Sequence, residues 1–132
     1  MARWFVPLLF LVACSSPVAE LRKATYGPQF TYVEGRDLKA NMWSIANDVN
    51  RLDTLLRDPQ GTDADAIAEV LRHLEATTHA LEGGTTTNHP RLDANLAHFV
   101  QEVTAARVAA EADPPNYFLA GSITGSCLHC HR

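Results

Sequence analysis

The chain has 132 residues, enough for one hydrophobic core and too few for two, so a single domain is expected. Eleven basic side chains stand against fifteen acidic ones, a formal net charge of −4, and no stretch gathers the lysines and arginines into a patch. That balance excludes a nucleic-acid surface and a polybasic membrane segment, and it makes a basic surface the natural electrostatic partner.

At the start, Arg3 precedes an apolar run from Trp4 to Val12. The run is too short to span a bilayer and reads as an export signal. It closes on Leu11-Val12-Ala13-Cys14, which resembles the lipobox of bacterial lipoproteins. The resemblance implies that residues 1–13 are removed and that Cys14 is acylated on its sulfur and its new amino group. The mature protein is then expected on the periplasmic face of a bacterial membrane, touching the bilayer through that lipid. An ordinary signal peptide cut nearby is the alternative, and it would leave a soluble periplasmic protein. Either way the mature chain lies outside the cytoplasm. Losing residues 1–13 removes only Arg3 among the charged side chains, so the mature chain is slightly more acidic still.

Residues 14–35 carry Pro17, Gly27, Pro28 and Gly35, with Tyr26, Phe30 and Tyr32 among them. A pure spacer has no use for three aromatics, so an irregular arm is expected whose aromatic half packs back on the domain; a plain linker is the alternative. The domain itself should run from 36 to 132. Leu38, Met42, Ile45, Val49, Leu52 and Leu56 recur at steps of three and four, the stripe of a first helix reaching about Arg57. Asp58-Pro59-Gln60-Gly61-Thr62 stops it. Thr62 or Asp63 can cap a second helix with Ile67, Val70, Leu71, Leu74 and Leu81 inward, ended by Gly83-Gly84.

A polar connection from Thr85 to Asn88 leads to Pro90, placed where a helix start tolerates it. The third helix follows, with Leu92, Leu96, Phe99, Val103 and Ala106 inward, and continues to about Ala112. Asp113-Pro114-Pro115 breaks it. A fourth is expected from about Asn116 to the end, with Tyr117, Ala120, Thr124, Cys127 and His131 inward. The resulting fold class is all-α, an antiparallel up-down-up-down four-helix bundle with an irregular N-terminal arm.

The last helix carries Cys127-Leu128-His129-Cys130-His131, a C-x-x-C-H sequence, which is the attachment motif of a c-type haem. Two thiols at that spacing add across the two porphyrin vinyl groups, and the next imidazole lies under the iron as proximal ligand. On a helix, 127, 130 and 131 share one face, from which His129 points away. A dithiol redox pair and a zinc site are the competing readings. The first usually follows a strand and opens a helix, and the second uses a separated second pair of ligands.

In such a bundle the start of the first helix, the end of the second, the start of the third and the end of the fourth share one pole. Few residues can then face the iron opposite His131: Met42, His79, His89 and Leu92. Met42 is the expected distal ligand, because it lies in the inward stripe and its thioether is a soft ligand suited to haem iron. Space-filling against the porphyrin is its other reading. His79 lies one position off its helix's buried set and His89 lies in a turn. His73 and His98 read as ordinary helix-surface histidines. Trp43 can pack on the porphyrin edge or serve general packing, and Arg36, Lys39 and Arg91 can pair with propionates or simply be solvated.

A four-helix bundle with Cys127, Cys130 and His131 in its final helix resembles the class II c-type cytochromes, the cytochrome c′ group and its six-coordinate, low-spin relatives. The first helix, Asp37-Leu38-x-x-Asn41-Met42-x-x-Ile45, is similar to that of the soluble periplasmic b-type bundle cytochrome, where Met42 and His131 match the axial pair. Five-coordinate members carry an apolar side chain at the distal position, so Met42 departs from them and favours the low-spin relatives. The resemblance implies one covalently attached haem c and a one-electron carrier, not an enzyme, whose partners are other redox proteins. It equally implies an alternative, a gas-binding protein for nitric oxide or carbon monoxide with an open or displaceable sixth position. It also implies a homodimer through the first two helices, a surface that a lipid anchor and a structured arm would obstruct.

Overall fold

The structure is a computed structural model and describes residues 18, 21, 25–61, 63–82 and 86–131. The leader, Cys14, Thr62, Gly83-Gly84 and Arg132 lie outside the described residues. The described residues are mostly helical, with four helices and one small parallel strand pair among them. Helix α1 is Gly35–Leu56, α2 is Ala64–Ala80, α3 is Pro90–Ala110 and α4 is Phe118–Ser126, followed by a 3₁₀ turn over Cys127–His129. Each helix packs on its chain neighbours, and α4 also packs on α1.

The first three helices fall where the apolar period and the breakers put them. Asp63 caps α2, accepting the Ala66 N–H at 2.9 Å, and Pro90 opens α3 at a position where its missing N–H costs nothing. The turn after α1 uses Gly61 at φ 122°, a conformation that a Cβ would disfavour. All the inward residues expected on α2 are buried, together with Thr78, whose hydroxyl donates to the Glu75 carbonyl at 2.9 Å. On α1, Ile45, Val49 and Leu52 are buried, with Leu38, Met42 and Leu56 partly so; on α3, Val100 and Ala110 join the expected set.

Two expectations need correction. The arm is not wholly irregular: β1, Phe30–Thr31, pairs in parallel with β2, Thr86–Thr87, so the connection between α2 and α3 contains a two-residue strand. Asn88 closes the clasp, its side chain accepting from Val33 N–H at 2.8 Å and donating to Val33 C=O at 3.1 Å. Asp93, in the first turn of α3, accepts from the Thr87 N–H at 2.8 Å and its hydroxyl at 2.7 Å, which satisfies a buried residue. Within the arm, Tyr26 stacks on Phe30 with ring centroids 4.0 Å apart. The second correction concerns the fourth helix, which does not continue regularly to the end but tightens into the 3₁₀ turn at Cys127. Its buried residues are Ala120, Ile123 and Ser126, while Thr124 is exposed. Asn116 holds its approach, donating from its backbone to Ala109 C=O at 2.9 Å and accepting from Phe118 N–H at 2.9 Å.

A polar network ties α2 to α3 on the surface. Glu75 accepts from the Thr104 hydroxyl at 2.7 Å and from Arg107 Nε at 2.6 Å, and Arg107 also reaches Glu111, which Arg72 grips at 2.7 Å. Burial alone would raise the Glu75 carboxyl, but the bonds from Thr104 and Arg107 and the Arg107 charge hold it below the usual glutamate range. A carboxyl depressed by folding binds fewer protons in the native than in the unfolded state, so its stabilisation is present at neutral pH. It is lost as pH falls below about 4.3, the ordinary glutamate value. Glu75→Gln should therefore lower stability at pH 7 more than at pH 3, flattening the acid limb of the stability profile measured by urea unfolding. An equal loss at both pH values would show that the carboxylate charge contributes nothing.

Candidate functional site

On α4 the inward positions are occupied by small side chains, Ala120 and Ser126, with Ile123 the one large aliphatic among its buried residues. The core thins there, and a cavity of about 230 Å³ remains between α1, α3 and the C-terminal turn. Protein interiors hold few voids larger than a water molecule, so a gap of this size with a defined lining is the candidate ligand site. Met42, Ile45 and Ala46 form its α1 wall. Leu92, Leu96 and Phe99 form the α3 wall, and Leu81, just beyond α2, closes one end. The remaining wall is Ser126, Cys127, Cys130 and His131.

Both cysteines are free and partly buried. The backbone turn that positions them is closed by His131 N–H donating to Cys127 C=O at 3.1 Å. Cys130 Sγ points toward the Arg91 carbonyl at 4.0 Å, so the start of α3 holds one thiol. Burial, and after it the neighbouring Cys127, push the Cys130 thiol above its usual range. A dithiol redox centre draws its reactivity from a depressed thiol at a helix N-terminus, whereas this pair follows the C-terminus of α4. His131 is exposed at the mouth, so the cavity communicates with solvent on that side.

Of the residues expected at this pole, Met42, Leu92, Cys127, Cys130 and His131 meet in the one cavity. Six others do not line it. His79 hydrogen-bonds Glu82 at 2.6 Å and lines a separate groove with Glu75 and Thr104. His89 is tied into the arm clasp, its Nε2 at 3.3 Å from Val33 C=O. Trp43 is 62% exposed and turned away from the cavity, because it follows Met42 by one residue, about 100° around the helix. Arg36 pairs with its neighbour Asp37 at 3.7 Å on the surface, and Lys39 and Arg91 are exposed.

The cysteines do not supply a compact metal site. Among the described residues, the group of His, Cys, Asp or Glu whose donor atoms lie within reach of one ion is instead His98, Glu102 and His129. The sequence reading missed this group, taking His98 as an ordinary surface histidine. The signal available was the i,i+4 spacing of His98 and Glu102; the third member depends on how the C-terminal turn lies on α3.

Against protein-family models, curated proteins and solved structures, nothing matches this chain. Its function is therefore read from the chemistry of the cavity itself.

Proposed function

We propose that the chain is an exported, lipid-anchored, single-haem c-type cytochrome that carries one electron at a time. In this reading Cys127 and Cys130 hold the haem through thioethers, His131 is the proximal ligand, Met42 the distal one, and Cys14 carries the lipid. The four helices are read as an antiparallel up-down-up-down bundle, which short connections and neighbour-to-neighbour packing favour.

The observation that carries the proposal is that the cysteines and histidine of C-x-x-C-H line one apolar cavity with a methionine in its opposite wall. The donor set fits a haem by its chemistry: two thiols, an imidazole, and a thioether soft enough for iron in either oxidation state. A haem held there supplies reversible exchange of a single electron. Ile45, Leu81, Leu92, Leu96 and Phe99 give the cavity an apolar lining. That apolar surround and the Met42 sulfur both favour the less charged, reduced state and so raise the potential. The solvent-facing side at His131 is where a redox partner would approach, and the acidic chain favours a basic partner surface. The titratable lining groups are Cys127, Cys130 and His131, all committed to attachment or ligation, so a carrier fits better than an enzyme.

Attachment is tested chemically on protein exported in a bacterial host that matures c-type cytochromes. Haem should stay with the polypeptide through acid-acetone extraction, and it should be extracted when Cys127 and Cys130 are both replaced by serine. A native protein that yields its haem to the solvent, or carries none, overturns the proposal. For the anchor, Cys14→Ser should move the protein from the membrane to the soluble fraction. Unchanged fractionation would remove the lipid from the reading.

A further inference from the structure

We propose that His98, Glu102 and His129 form a second site, one that binds a single divalent transition-metal ion of zinc-like character. His98 and Glu102 stand one turn apart on the same face of α3, and His129 reaches them from the 3₁₀ turn. The donor atoms of the three side chains all lie within 4.8 Å of one another. His98 Nε2 is 3.2 Å from Glu102 Oε1, and the two imidazoles are tilted by 48° with centroids 5.5 Å apart, so they converge without stacking face to face.

Glu102 supplies the second observation. Its Oε2 is buried and has no hydrogen-bond partner among the described residues. A carboxylate oxygen stripped of water and given no donor is a rarity in folded proteins and needs a cation or a donor to satisfy it. The side chains grouped with it are two histidines, and neutral imidazole is a metal ligand.

Two imidazoles and one carboxylate make the donor set of open zinc sites, leaving positions for water. Nitrogen donors disfavour calcium and magnesium, which take oxygen ligands, and favour zinc or its borderline neighbours. His98 is 62% exposed, which gives the ion an entry path. The ion would cross-link α3 to the turn that bears Cys127. None of its three ligands lines the Met42 cavity, so the site stands independently of the haem proposal.

The test uses the full exported chain, stripped with a chelator and titrated with Zn²⁺ by calorimetry. One ion should bind per chain. His98→Asn, Glu102→Gln and His129→Asn should each weaken binding by about 100-fold or more, since even second-shell losses cost 10–100-fold. His73→Asn should leave it unchanged, although His73 also has a carboxylate neighbour, Asp48, at 2.7 Å. Zinc-edge absorption should show a nitrogen and oxygen shell with two imidazoles. Equal affinity in the three variants overturns the site, as does a sulfur ligand lost in the Cys127→Ser/Cys130→Ser protein. Far-UV circular dichroism of each variant separates lost binding from lost folding, and His98→Asn, at an exposed position, is the variant least able to disturb the core.

Discussion

Met42→Ala is expected to turn the oxidised protein from a low-spin to a high-spin species at neutral pH. It should also abolish the near-infrared methionine-to-iron band and lower the reduction potential. Met42 lines the same cavity as Cys127, Cys130 and His131 and is partly buried there, which makes its thioether the candidate distal ligand. Alanine has no donor and leaves the sixth position to water or to an added gas. Axial ligands tune haem potentials over about 0.8 V, so a fall on the order of 100 mV is the expected scale. Visible and near-infrared spectra with a redox titration check it. A high-spin ferric spectrum in the unsubstituted protein, unchanged by the substitution, would sink the carrier reading and favour a protein that binds nitric oxide or carbon monoxide.

The largest effect on stability is expected at Leu71→Ala. Leu71 is fully buried on α2 within the core cluster that α1, α3 and α4 share. Truncation removes three carbons from a packed site that relaxes only in part, at a cost of about 2–5 kcal/mol. Domains of this size are stable by roughly 5–15 kcal/mol, so the loss is a large share of the total. The urea midpoint should fall with its slope unchanged. Val108→Ala, at a site 56% exposed, should shift stability by no more than about 0.5 kcal/mol. A Leu71→Ala loss below about 1 kcal/mol would mean that the helices are not packed around this residue.

The three longer helices were legible because their stripes run for several turns and end at strong breakers, Asp58-Pro59 and Asp113-Pro114-Pro115. The fourth was harder. Gly121, Ser122, Gly125 and Ser126 leave too little apolar pattern to set its rotation, so Thr124 was turned inward where the structure buries Ser126. Of these small residues, Ser126 lines the cavity. Met42 could be placed from its own helix, whose inward stripe carries it into the cavity that Cys127, Cys130 and His131 also line. The strand clasp could not, because two-residue strands carry no local period, and Val33 is held by Asn88, far away in the sequence. His98, Glu102 and His129 failed for a related reason: two lie on a readable helix face, and the third is brought in by a turn whose orientation depends on packing.

The parallel pairing of Phe30–Thr31 with Thr86–Thr87 also sets a geometric limit. Fifteen residues lie between Cys14 and Phe30, a contour of at most about 58 Å whatever path the intervening chain takes. The far end of that leash is stapled between Leu81 and Leu92, both of which line the cavity. If Cys14 sits in a bilayer, the cavity mouth is confined to a shallow layer above the lipid headgroups, and encounters with membrane-bound partners become a search over a surface instead of a volume. Lengthening the segment before Phe30 would thicken that layer and dilute those encounters without touching a residue of the cavity.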